Sequence, residues 1–329
     1  MKPVLLLVLG AALAPAQNTT TTHIKDFNGN RVEGPSVSNS ASGERTERFQ
    51  SINGRQVPLE QVTERVIRED ANGKVTERTV RKFDSNGQPV ATERAMIEES
   101  KLAGGGSTVR QTTYRSDVNG SMREAERKTI ETRVSGSTTT ASTVVDRPSL
   151  SGAFETAEKR SAVTEGPAEN QRTTESVYER DVSGGFQERL RTVKTSSKAN
   201  ETVKETTANY EPGINGQLRL ASQSESTSNK QPDGTEVIQT NLFTQTVAGK
   251  LQDGNAPMRV QEQQIVERRA NPDGSMVETL SVRRPSVSDP NRLGALQKIS
   301  ETVCKGKCQP DKPQPADTSS KSDAKSSRP

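Results

Sequence analysis

Gly120, Gly152, Gly184 and Gly216 stand 32 residues apart, and each sits between the same two apolar positions. The pairs are Val118 and Met122, Leu150 and Phe154, Val182 and Phe186, and Ile214 and Leu218. A fifth copy, Phe243 to Leu251 with Val247 and Gly249, follows after a step of 33, and upstream Ile52-Asn53-Gly54 and Asn86-Gly87 continue the series more loosely. A fixed period of this length marks an array in which each repeat is one supersecondary unit, stable only beside its neighbours.

The unit reads as β structure. Between the repeat sites and their looser copies lies a second set of turn signals, including Asn72-Gly73, Gly104-Gly105-Gly106, Gly136, Asp233-Gly234 and Asp273-Gly274. Asn-Gly and Asp-Gly favour hairpins because both residues tolerate positive φ. The intervening segments are rich in Thr, Val and Arg and poor in Pro, as strands are. From Tyr114 the even positions carry Tyr114, Ser116, Val118, Met122, Ile130, Thr132 and Val134, while Arg115, Arg123, Arg127, Glu131 and Arg133 fall on odd ones. Unbroken alternation puts these two sets on opposite faces, and an even repeat length keeps that parity from copy to copy. A helix needs apolar residues at i, i+3, i+4 and i+7, and the glycine motif interrupts any such pattern.

The predicted fold class is therefore all-β: a repetitive antiparallel hairpin meander forming an elongated twisted sheet, with one hairpin per 32 residues. A β-solenoid is the alternative, stacking Tyr114 over Asp146, Tyr178 and Tyr210, but its coil needs inward apolar residues on every wall and this unit offers too few. Composition sets the same limit. Only 28% of the residues are hydrophobic and 3% aromatic, with no Trp and a mean hydropathy of -0.84. Leu, Ile, Val and Phe together make up under about a fifth of the chain, a level that also characterises disordered chains. A phase-locked repeat argues for structure over a largely disordered linker or matrix polymer.

The chain starts with Lys2, an apolar run from Val4 to Leu13 and the small-residue site Ala14-Pro15-Ala16. Together these read as a cleavable signal peptide over residues 1–16. The apolar run is shorter than the roughly 20 residues needed to cross a bilayer, and no later segment supplies a membrane span. The expectation is a mature chain that starts near Gln17 and is secreted or periplasmic. Its predicted parts are a flexible lead-in over 17–44, a β-repeat body over 45–303, a Cys-x-x-x-Cys loop over 304–308 and a disordered tail over 309–329.

Cys304 and Cys308 are the only cysteines, and in an oxidising compartment they are expected to form a local disulfide. His23 is the single histidine, so neither a nucleophilic triad nor a zinc site is expected. No Walker, nucleophile-elbow or dinucleotide-binding pattern occurs, and no cofactor is implied. Asp70-Ala71-Asn72-Gly73 and Asp84-Ser85-Asn86-Gly87 read as turns, because a calcium loop needs twelve residues ending in Glu. Formal charge is +4 from 46 basic and 42 acidic residues that alternate at short range. No basic stripe forms, so nucleic acid is not an expected partner.

Phe83-Asp84-Ser85-Asn86-Gly87, followed by Thr92, resembles one unit of the tyrosine-aspartate (YD/RHS) repeats of secreted shell-forming proteins. The likeness spans about one turn, and the four regular copies lack the aromatic-Asp pair beside the glycine, so no family is assigned on it. The functional expectation is a non-catalytic, exported repeat protein with a structural, adhesive or binding role at the cell envelope or outside the cell. It would self-associate or engage an envelope or extracellular protein or polysaccharide. The alternative from another class is an exported hydrolase using two carboxylates.

Overall fold

The computed structural model describes residues 16–25, 31–33, 36–42, 44–52, 55–117, 119–213, 215–245, 258–286, 289 and 292–306. Every secondary-structure element among them is a strand. In chain order these are β1 (Ala16–Lys25), β2 (Arg31–Glu33), β3 (Val37–Ser42), β4 (Arg45–Ile52), β5 (Arg55–Asp70), β6 (Gly73–Phe83), β7 (Pro89–Lys101), β8 (Ser107–Ser116), β9 (Met122–Ser135) and β10 (Thr138–Pro148). They continue as β11 (Phe154–Glu165), β12 (Asn170–Arg180), β13 (Phe186–Ala199), β14 (Thr202–Pro212), β15 (Leu218–Lys230), β16 (Glu236–Gln245), β17 (Met258–Ala270), β18 (Met276–Arg283) and β19 (Gln297–Gly306).

From β3 to β19 each strand pairs antiparallel with the next. The sheet then closes. β1 pairs with β19 along one edge, with Thr20 opposite Cys304 and Thr22 opposite Thr302, and along the other edge with β3, where Thr20 faces Val37. β2 covers the remainder of that second edge. The expected open, elongated sheet is thus corrected to a closed antiparallel barrel of 18 strands, with β2 as a short addition. An open twisted sheet rarely exceeds about ten strands, because accumulated twist curls it. The stretch 17–44, expected to be a flexible lead-in, instead supplies β1, β3 and the closure itself. The predicted signal peptide lies outside the described residues except for Ala16, which opens β1; the predicted tail over 309–329 and Cys308 also lie outside them.

Each of the hairpins β4/β5, β6/β7, β8/β9, β10/β11, β12/β13, β14/β15, β16/β17 and β18/β19 carries one register shift where an extra residue enters its second strand, and β5/β6 carries a separate one on its first strand, between Val66 and Arg68. In the regular part the shifts fall at Thr113/Tyr114, Val145/Asp146, Val177/Tyr178 and Asn209/Tyr210, the 32-residue period seen in the turns. The inserted residues there are Ala125, Ala157, Arg189 and Ala221. Such bulges increase local twist and bend the strand, so one per hairpin, all near the same end, supplies the curvature that rolls the sheet up.

The bulges also overturn the expected parity. Tyr114, Ser116 and Met122 share one face, but past Ala125 the residues Ile130, Thr132 and Val134 lie on the other. Following directly opposed residues around the closed ladder defines two continuous faces. Small side chains of one face, such as Thr132, Ala141, Thr143, Ala162, Thr164 and Thr192, are all covered, whereas Thr129, Thr140, Ser142, Ser161 and Thr195 of the other are exposed. Converging side chains shield one another on a concave surface, so the first face lines the lumen and the second is the outer wall.

The lumen is not a packed core. Close contacts join ladder neighbours, apart from a slight approach of β13 to β15, and strands on opposite sides of the barrel do not meet. Eighteen strands about 4.8 Å apart and tilted about 40° close at a backbone diameter of about 35 Å, wide enough to leave a channel. Among the described residues the buried apolar side chains are Val57, Ala95, Val145 and Val282, all facing inward, and none is completely buried. Ladder hydrogen bonds and cross-strand pairs therefore carry the fold. Arg268 bridges Glu236 and Glu278 from neighbouring strands at 3.5 and 2.7 Å, and Arg115, Arg147 and Arg284 reach Glu93, Glu126 and Glu262 across single ladders. Such pairs contribute about 0.2–1 kcal/mol each.

Candidate functional site

The regular repeat positions converge on one end of the barrel, the repeat end, where β4/β5 through β18/β19 turn around. Its loops from β6/β7 to β14/β15 share one hydrogen-bonding plan. In Asp117 to Ser121 the Asp117 N–H donates to the Ser121 carbonyl at 2.9 Å, and the Gly120 N–H donates to the Asp117 carbonyl at 3.0 Å. The same two bonds recur in 84–88, 149–153, 181–185 and 213–217. The fourth residue must take a left-handed conformation, and Gly120, Gly152, Gly184 and Gly216 have φ of 79°, 82°, 87° and 72°.

An acidic first residue braces the loop further. The Asp181 carboxylate accepts from the Ser183 N–H and hydroxyl and from the Gly185 N–H at 2.7–2.9 Å. Its pKa is held below the ordinary Asp range, chiefly by the Ser183 hydroxyl. Asp84 and Asp117 accept two backbone N–H groups each in the same way.

At the base of these loops lies a belt of aromatic rings. Phe49, Phe83, Tyr114, Tyr178, Tyr210 and Phe243 are each the first residue beyond a register shift, and all six face outward. Phe154 and Phe186 open the second strands of their hairpins and also face outward. These are all the aromatic residues among those described; Phe27 lies outside them. Cations sit on the rings: the Arg94 guanidinium lies 4.9 Å from the Tyr114 ring centre, Arg127 lies 4.2 Å from Phe154, and the Lys159 ammonium lies 4.2 Å from Phe186. Arg127 and Arg191 are anchored by Glu124 and Glu188, whose hydrogen bonds raise both guanidinium pKa values and lower that of Glu188. The outcome is an amphipathic ring of pinned aromatics and oriented charges around the outside of one end. Tyr, Phe and Arg in this arrangement are the residues that dominate binding surfaces.

The apolar repeat positions divide between belt and loop tip. Met122, Phe154, Phe186 and Leu218 begin their strands on the outer wall. Leu150 and Val182 occupy the loop tips and are fully exposed, at 111% and 110% of their reference areas, so neither contributes to a core. Val118 and Ile214 lie outside the described residues. Cys304 lies on β19 opposite Met276 and Thr20, near the other end of the barrel. The belt's bulges were missed because an inserted Ala125 or Ala157 looks like any strand residue; the signal that could have exposed them is the aromatic recurring near the end of the first strand in six of the eight hairpins that carry one.

A cavity of about 520 Å³ opens at the lumen mouth of the opposite end, lined by Lys198, Lys230, Arg268, Glu201, Glu236, Val203 and Met276 among others. Its Glu236 is tied to Arg268 and accepts from the Ser228 hydroxyl at 3.0 Å. Every carboxylate with a resolved pKa displacement, namely Asp181, Glu188, Asp233, Glu262 and Asp273, is displaced downward by hydrogen bonds. That is the direction of solvated, bonded carboxylates, opposite to a general acid held protonated by burial. Among the described residues no three His, Cys, Asp or Glu side chains gather as metal ligands. No family model, characterised protein or solved structure matches the chain.

Proposed function

We propose that this is an exported, non-catalytic β-repeat barrel with a structural or adhesive role at the cell envelope or outside the cell, acting through the aromatic belt of its repeat end. The observation that carries the reading is the placement of every described aromatic residue on the outer wall near one end. Folding alone does not require this, since the lumen is unfilled and rings turned inward would bury more area. Export rests on residues 1–16 and their Ala14-Pro15-Ala16 site. In that compartment Cys304 and Cys308 form a local disulfide at the end of β19, which mass spectrometry of the non-reduced C-terminal peptide tests.

The binding role is tested by retention of the mature protein on isolated envelope fractions. Replacing Phe154, Tyr178 and Phe186 together by Ser should abolish retention while leaving the far-ultraviolet circular dichroism unchanged. Equal retention of the wild type and this variant would contradict the reading.

A further inference from the structure

The repeat end carries a second feature that neither folding nor the belt explains. Leu150 and Val182 occupy the second position of five-residue loops, where turn chemistry favours polar residues or Pro. Both side chains stand free in solvent, and the sequence places Val118 and Ile214 at the same step of the repeat. The opposite end differs. Its corresponding tips are Asn72, Gly104-Gly105, Gly136-Ser137, Pro167-Ala168, Asn200-Glu201, Pro232-Asp233 and Pro272-Asp273, with no large apolar residue among them; Leu102, at the base of the Gly104-Gly105 loop, is 37% exposed against 111% for Leu150.

The spacing of these tips identifies what they fit. Neighbouring hairpins are two strands apart, so successive tips stand about 10 Å from one another. Isolated apolar points at that distance cannot form the contiguous, close-packed apolar patch of a protein interface. A fluid apolar phase accepts each of them separately. Phe154 and Phe186 stand opposite Pro148 and Arg180, two residues from the Leu150 and Val182 tips and so within about 7 Å of them along the strand; rings at that depth occupy the interfacial layer of a bilayer, and Arg127 and Lys159 lie beside them at headgroup level.

We infer that the repeat end docks on a lipid surface, with Leu150 and Val182 entering the acyl boundary and the aromatic-cation belt lying among the headgroups. This inference deepens the binding role proposed above by naming its partner. It is a docking mode, because the outer wall beyond the belt carries Arg110, Glu131, Arg133, Arg172, Lys204 and Glu267, whereas a barrel that spans a bilayer presents an apolar band there.

The chain contains no Trp, so a single introduced Trp reports its own surroundings. L150W and V182W, each as the full mature chain, should show blue-shifted emission on addition of vesicles made of equal parts phosphatidylcholine and phosphatidylglycerol. A168W at the opposite end should show no shift. In co-sedimentation with the same vesicles, the L150D/V182D variant should bind at least about tenfold more weakly than wild type, the loss expected from an apolar side chain that no longer leaves water. Absence of a shift at 150 and 182, an equal shift at 168, or unchanged binding of the double variant would overturn the inference. If vesicle binding fails while delipidated envelope still retains the wild type, the belt remains a binding surface and only the lipid assignment falls; loss of both removes both.

Discussion

The two ends of the barrel are built from the same strands but not in the same way. At the repeat end the loops from β6/β7 to β14/β15 share one plan, a bulge follows each, and the aromatics cluster outside. At the opposite end the turns vary: Gly73, Gly136, the Gly166-Pro167 corner and Asn200, with φ of 55°, each solve the reversal differently. Only 231–235 and 271–275 adopt the five-residue plan there. Uniformity at the end that carries the aromatic belt, and variety at the end where only reversal is required, separates what the repeat preserves from what the fold merely tolerates.

Perturbing the two ends equally should therefore have unequal effects. The largest concerns the lumen wall at the bulges. Val145, buried beside its register shift, should cost about 3 kcal/mol or more on replacement by Asp, whereas Thr139→Asp on the same strand and face near the opposite end should cost under about 0.5 kcal/mol. Chemical denaturation of the two variants checks this. Next is the turn conformation. Gly184→Val, forced to φ of 87°, should cost about 2 kcal/mol, while Asn200→Gly at the opposite end should change stability by a few tenths of a kcal/mol only.

A smaller effect follows from the loop carboxylates. The pKa values of Asp181, Asp233 and Asp273 are lowered in the folded state, so their contribution is complete above the unfolded value near 3.9 and fades as pH falls through the folded values. Thermal unfolding of wild type and D181N should differ at pH 7 and converge in strong acid. A difference that persists in strong acid would contradict the hydrogen-bonding account. The smallest effect is at the belt: Lys159→Gln should lower stability by about 0.5–1 kcal/mol, since the ring contact is solvent-exposed.

Legibility in the sequence followed the range of the interactions. The hairpin unit and its four glycines were readable because a left-handed turn position is a local demand. The face assignments were readable only as far as the first bulge: Tyr114 and Met122 kept their relation, and Ile130 did not, because one inserted residue inverts everything after it. Closure was not readable at all. It depends on Thr20 meeting Cys304 across nearly the whole chain, through a Thr-rich strand whose composition resembles a linker. The belt was half visible, since Phe154 and Phe186 stood out as repeat positions while the outward direction of Tyr114, Tyr178 and Tyr210 awaited the bulges.

Closure underlies every statement about inside, outside and ends, and one cross-link tests it. Thr22 on β1 and Thr302 on β19 are directly opposed, with their hydroxyls 3.3 Å apart. In a chain with Cys304 and Cys308 replaced by Ser, T22C/T302C should oxidise to an intramolecular disulfide in the folded protein, since opposed residues on paired strands bring their Cβ atoms within the reach of that bond. A monomer that keeps two free thiols under oxidising conditions, or that cross-links only between molecules, would contradict the closed barrel.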